Sequence, residues 1–296
     1  MQKILRFGLF LAGHGLLVGC GGQTTVIDPT PGPDPAPVVV VPRGPGDSPV
    51  APPDKPTEPP PPVVTSVNSW GTSLDPNTCF SLVEGGTGRR MVKIDLTTGQ
   101  QADGPNVTQN GNPMLSEMTS IGVKGADLWL CNTNQGSPIQ TVTKVSLATG
   151  VATGFAVPCR AVTASEQGIF VLGNDTTTIT RYADETAVQA GGPSETRIGS
   201  DAYSIGPAAT GALTSRYQDG QVATSGGAVT LDGYSGYIFG VSEATGGRII
   251  VSSPAIFGGS GSLESFDATT GSRLGTVAKF TGPTGLAGFW GLACAH

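Results

Sequence analysis

With 296 residues, 45 glycines, 24 prolines and only 13% charged side chains, the chain has room for one large or two ordinary domains. Its composition suits a turn-rich secreted β-protein better than a charged helical one. The formal charge is −6, from 16 basic and 22 acidic residues, so nothing draws the chain generally to nucleic acid. Two histidines, His14 and His296, are too few for a buried Ser/His/Asp triad or a multi-histidine metal centre.

The chain starts with Lys3 and Arg6, then an apolar run over 7–18 that is too short for a membrane span, then Leu17-Val18-Gly19-Cys20. This resembles the bacterial lipoprotein signal peptide with its lipobox. The resemblance implies removal of residues 1–19 and attachment of lipid to Cys20 as the first mature residue. Membrane binding then comes from acyl chains, at about 0.8 kcal/mol per buried methylene. Gly21, where inner-membrane lipoproteins often carry Asp, points to the outer membrane of a Gram-negative envelope. The mature chain would keep 14 basic residues against 22 acidic, a formal charge of −8.

Between Pro29 and Pro62 stand 15 of the 24 prolines. They remove backbone donors and fix φ, so residues 20–63 read as a disordered, polyproline-II-like linker. At about 3.1 Å per residue it reaches on the order of 100 Å, a spacer between lipid and domain.

From 64 to 296 no amphipathic helical stretch of useful length occurs. Short alternating runs broken by Gly, Asn, Asp, Ser and Thr predict a single all-β domain. One stretch, 91–99 (MVKIDLTTG), returns more weakly at 142–150, 179–186, 213–220 and 263–271 as a strand ending in a polar turn. The last unit resolves into strands at 237–242, 248–253, 261–267 and 273–279, the four antiparallel strands of a β-propeller blade. Runs at 119–124, 127–132, 141–146 and 151–157 make another unit, and 161–165, 168–174, 177–183 and 187–190 a third. A less regular unit holds 202–205, 213–217 and 221–224, and the first unit holds 78–83 and 91–95. Aligned on positions 95, 146, 183, 218 and 267, the copies recur about every 43 residues, a four-stranded blade period. The copies count five blades, and two long intervals leave six open.

Residues 289–294 (FWGLAC) read as a first strand with no second strand after it, while the first unit has only 66–73 to open it. Pairing the C-terminal strand with the first unit closes the ring and removes a free sheet edge. In that register Cys294 matches Lys124 and Cys79 matches Asp127, residues that flank one tight turn. Cys79 and Cys294 then face each other across a hairpin, within disulfide reach. With Cys20 assigned to lipid, four cysteines remain, the even number expected in an oxidising compartment. Of three pairings we expect Cys79 with Cys294 and Cys131 with Cys159. The second rests on a second strand ending on the face where the next first strand begins.

The strand-turns at 91–99 and 263–271, with the strand pair 238–253 (IFGVSEATGGRIIVSS) before the latter, resemble the YVTN, NHL and quinoprotein-like β-propellers. The resemblance covers about residues 66–296 and implies architecture rather than activity. It makes the D-x-x-T-G element at 95–99 and 267–271, and its variant at 146–150, a structural turn. Quinoprotein blades carry a Trp shortly after that Gly, which this chain lacks, so no quinone and no other cofactor is expected. Gluconolactonase-like propeller hydrolases hold a divalent cation through Glu, Asn and Asp on the central channel. On that resemblance the oxygen ligands on offer are Glu84, Asn132, Asn174 and Asp201, all near strand ends. Trp129 and Trp290 read as blade-to-blade packing, and Lys93, Lys144, Arg181 and Arg216 as solvated strand faces. The expected function is a lipid-anchored, non-catalytic propeller binding a protein or envelope partner. A cation-dependent lactonase and a structural cell-surface protein are the rival readings.

Overall fold

The computed structural model describes residues 70–85, 88–114, 120–133, 140–198, 202–216, 219–224, 227–234, 238–253, 255–256, 260–281 and 286–296. The expected signal peptide, Cys20, the linker and Asp201 lie outside them. The chain divides into two units, 1–61 and 62–296, and every described residue belongs to the second.

That unit is an all-β propeller of five four-stranded blades, which settles the count left open by the repeat. The first blade takes β1 (Thr78–Gly85), β2 (Gly88–Asp95) and β3 (Gln101–Asn106), followed by a hairpin of β4 (Thr108–Gln109) and β5 (Asn112–Pro113). The second holds β6 (Ile121–Lys124), β7 (Asp127–Thr133), β8 (Gln140–Ser146) and β9 (Val151–Pro158). The third holds β10 (Ala161–Ser165), β11 (Gly168–Leu172), β12 (Thr178–Tyr182) and, after helix α1 (Glu185–Ala190), β13 (Glu195–Ile198). The fourth consists of β14 (Ser204–Ala208), β15 (Gly211–Ser215), β16 (Gln221–Thr224) and β17 (Gly227–Thr230). In the fifth, β18 (Gly240–Ala244) and β19 (Arg248–Ser253) precede a short β20 (Ala255–Ile256), then β21 (Ser260–Asp267) and β22 (Arg273–Thr281) complete the sheet. A two-residue β23 (Leu286–Ala287) pairs with β20, and β24 (Trp290–Cys294) returns to β1 as the innermost strand of the first blade. Among the described residues no helix is long and apolar enough to cross a membrane.

Two expectations need correction. Residues 187–190, read as a strand, belong to α1, because Asp184 caps the helix by accepting from the Ala187 N–H at 2.9 Å and Gly191 ends it at φ 62°. The fourth strand of that blade comes later, at β13. Residues 213–220 are not a third-strand copy either: β15 is the second strand of its blade, and Gln218, the position aligned with Asp95 and Asp267, lies outside the described residues. Residues 70–73 form no strand, as expected if β24 opens the first blade.

The repeated D-x-x-T-G turn has a physical role beyond reversing the chain. The Asp267 carboxylate accepts from the backbone N–H groups of Thr269 and Thr270 at 2.9 and 2.7 Å, and Asp95 does the same for Thr97 and Thr98 at 2.7 and 2.8 Å. The turn glycines Gly99, Gly150 and Gly271 have φ of 72–74°. A Cβ on them would stand 2.3, 2.1 and 2.0 Å from the carbonyl oxygens of Val277, Asn106 and Thr230. Those three residues lie on the outermost strands β22, β3 and β17. Each turn therefore docks on the outer strand of the preceding blade, and glycine sets the blade-to-blade spacing.

Candidate functional site

The innermost strands are β24, β6, β10, β14 and β18. Five of them around one axis come close enough that large side chains do not fit, and the sequence supplies Gly, Ala, Ser and Thr. A Cβ on Gly122 would lie 1.8 Å from the Ala164 nitrogen, and one on Gly206 would lie 1.6 Å from the Val241 oxygen. Hydroxyls buried there are satisfied by backbone: Thr163 donates to the Ile121 carbonyl at 2.9 Å, and the Ser242 hydroxyl accepts from the Cys294 N–H at 2.9 Å. The Ser120 hydroxyl accepts from the Ile205 N–H at 2.9 Å. This bond joins the second blade to the fourth, so it runs across the axis. The ring centre is a packed plug.

At one end of the plug, on the side of the turns between first and second strands, the surface dips into a depression of about 390 Å³. Leu74, Val123, Ser165, Gln167, Ala209 and His296 are among its walls. Lys124 donates to the carbonyl of Glu166, one of the depression's lining residues, at 3.0 Å, and the Glu243 carboxylate accepts from the N–H of Ala209, another, at 2.8 Å. The Cys79–Cys294 disulfide is buried there, in the register expected from the repeat, with the two cysteines directly opposed across β1 and β24. Cys131–Cys159 is the second disulfide.

The opposite end carries a chain of aromatic rings and guanidinium groups, of which only Trp290 stood out in the sequence. Arg160 lies 5.5 Å from the Tyr203 ring, Tyr203 meets Phe239 edge-on at 6.1 Å, Phe239 meets Trp290 edge-on at 5.3 Å, and Arg89 covers Trp290 at 4.4 Å. Arg160, Tyr203 and Phe239 each directly precede an innermost strand. Aligning the units on those strands, rather than on the turns, would have revealed them.

Of the four oxygen ligands considered, two share one seam. Glu84 lies on the side of β1 that carries Phe80 and Leu82, and Asn132 on the side of β7 that carries Leu128 and Leu130; those four apolar residues pack in one cluster between the first and second blades. Glu84 stands opposite Arg89 in the β1–β2 register, with Oε2 buried and without a hydrogen-bond partner. Asn132 donates to the Gln109 side-chain oxygen at 3.1 Å. Both sit on second strands rather than on the axis. Asn174 is exposed in the turn after β11. Among the described residues no group of three or more His, Cys, Asp or Glu is placed to share a metal ion.

The basic residues do not form a ring, and one is not solvated. Lys93 is 3% exposed, ion-paired with Asp75 and 5.8 Å from the Phe80 ring. Its hydrogen bond holds the Asp75 carboxyl below the usual carboxylate range. Lys144 pairs with Glu185 at 2.7 Å, Arg181 with Glu195 at 3.9 Å and Arg216 with Asp219 at 3.6 Å. Trp129 and Trp290 are buried between blades as expected.

No protein-family model matches the chain, and no curated protein does. Among solved structures, it is similar to Kuenenia stuttgartiensis hydrazine synthase, with TM-score 0.35 and 15% identity over 54% of this chain and 49% of that one. A Lactobacillus plantarum protein gives TM-score 0.30 and 11% identity over 68% and 66%. A putative 6-phosphogluconolactonase from Bacteroides uniformis gives TM-score 0.35 and 11% identity over 70% and 82%. The chain spans about half the length of the first and less than two thirds of the second. At these scores the likenesses carry no activity over to this chain.

Proposed function

We propose that the protein is a lipid-anchored, non-catalytic binding module of the bacterial cell envelope, held at the outer membrane through Cys20 and presenting its propeller to a protein partner. The observation that carries this reading is the filled axis, above all the hydrogen bond from Ile205 to Ser120 across the ring. A substrate chamber at the centre is thereby lost, and recognition moves to the ends and sides of the ring. The 390 Å³ depression mixes Leu74 and Val123 with Ser165 and Gln167, a lining that suits a side chain projecting from another protein. The lipobox and the proline spacer support the address, and the acidic balance supports a partner other than nucleic acid.

A photo-cross-linking residue placed at Gln167 in the full-length protein, in intact cells, tests the reading. A discrete adduct with one envelope protein is expected, lost when Cys20→Ser releases the chain from the membrane fraction. The reading fails if no adduct forms and the purified full-length protein hydrolyses lactones only with added calcium, which would establish the hydrolase instead.

A further inference from the structure

The β4–β5 hairpin has no place in a four-stranded blade. Its turn, Asn110-Gly111, has φ of 52° and 77° at its two residues, the pattern of a type I′ hairpin. β4 lies parallel to β9 at only two positions, Thr108 with Val151 and Gln109 with Ala152, whereas β9 continues to Pro158. β4 ends there at the hairpin turn while β9 runs on, and the wedge between the hairpin tip and the rest of β9 is a cleft of about 690 Å³ on the flank of the second blade, within the range of small-ligand sites.

The lining is unusual for a chain with this charge. Gln109, Asn110 and Asn112 come from the hairpin and Thr141, Thr153 and Phe155 from the blade, with no charged side chain among the described lining residues. Phe155 is stacked on Trp129 at 5.5 Å and 20°, so its position is fixed. Gln109 is oriented by the buried Asn132, which donates to its oxygen at 3.1 Å.

We propose that this cleft binds a neutral oligosaccharide. Among the described lining residues a charged ligand meets no opposite charge to repay its lost hydration, and an apolar ligand would desolvate three amides for nothing in return. Amides each offer donors and an acceptor, the complement of vicinal hydroxyl groups. Phe155 itself is only 7% exposed, so apolar contact for the C–H groups of a sugar comes from the exposed Ala156 and Gly154 beside it. An extended peptide added along β9 fits less well, because the β8–β9 pairing is broken by a register shift between Thr141 and Thr143 and a bulged strand is a poor template. The inference stands on the cleft alone, independent of the lipid anchor and of the axial depression.

Calorimetric titration of the full-length protein in detergent with maltohexaose, cellohexaose and chitohexaose tests it, with a neutral Ala/Ser-rich peptide as the competing probe. At least one hexasaccharide binds. Asn112→Ala weakens it about tenfold or more, roughly 1.4 kcal/mol, Thr153→Arg abolishes it by filling the wedge, and Gln167→Ala at the axial depression leaves it unchanged. The inference is overturned if none of the three binds at millimolar concentration, if binding survives Thr153→Arg, or if only the peptide binds. Circular dichroism of each variant separates lost binding from lost fold.

Discussion

Gly122 shows how much a single atom costs at the centre of a five-bladed ring. Its added Cβ would meet the Ala164 nitrogen at 1.8 Å and the Ala164 oxygen at 2.5 Å, backbone atoms on a neighbouring innermost strand that cannot swing aside. Gly122→Ala is expected to lower stability by about 3 kcal/mol or more, measured by urea unfolding, whereas Gly192, with open space around it and no positive φ, marks how little steric cost the same change carries outside the plug. Tyr234 gives the pH dependence. Burial, with the nearby Glu264 adding to it and a Ser253 hydrogen bond opposing, pushes its phenol up to about 12. A phenol raised in the folded state contributes stability that is full below its unfolded pKa near 10 and is lost as pH rises through 12. Unfolding free energy should therefore fall by about 2–3 kcal/mol across that window, and Tyr234→Phe should flatten the profile. On the acid side, Asp267 and Asp175 are held below the usual carboxylate range by hydrogen bonds from Thr270 and Thr178. What they contribute is present above that range and disappears as pH falls through their lowered pKa values. The Asp267 bonds are local to the D-x-x-T-G turn that the sequence shows. The Gly122 clash and the Tyr234 environment were not legible there, because they are made by residues dozens of positions away.

Elements were legible where local pattern and tertiary demand agree. Strands at 161–165 and 248–253 coincide with β10 and β19, because alternation, β-branched content and bounding turns all point the same way. Helix α1 was missed because the run from Ala187 to Ala190 is short and apolar enough to pass for a strand, while the signal for a helix is the capping residue Asp184. Asp184→Ala should cost about 1 kcal/mol, read as a lower urea midpoint together with weakened hydrogen-exchange protection at Val188. The β4–β5 hairpin was missed although Asn110-Gly111 is a strong turn signal. Its strands have two residues each, too few to show a period. In the candidate cation set, Glu84 and Asn132 lie near strand ends as read, but the sequence did not show that the faces carrying Leu82 and Leu130 meet in one seam between blades. Alternation puts Glu84 and Asn132 on those faces.

At the scale of the molecule, ring closure was the most readable feature, because an unpaired first strand at one end of the sequence and a missing one at the other can only complete each other. The two disulfides differ in what they hold. Cys79–Cys294 ties residues 215 positions apart and Cys131–Cys159 residues 28 apart. By loop-closure entropy the first is worth about 5 kcal/mol and the second about 3–4 kcal/mol. Replacing both cysteines of the first pair by Ala should lower the urea midpoint more than replacing both of the second, and should expose Trp290 to fluorescence quenchers before the main transition. The position of β24 also imposes an order in time. A chain emerging N-terminus first presents Cys79, Cys131 and Cys159 to oxidant well before Cys294 appears. In a chain oxidised while it emerges, Cys131 and Cys159 can already form their native bond, whereas any bond from Cys79 to either of them is non-native and must be undone by thiol–disulfide exchange before Cys79–Cys294 can form.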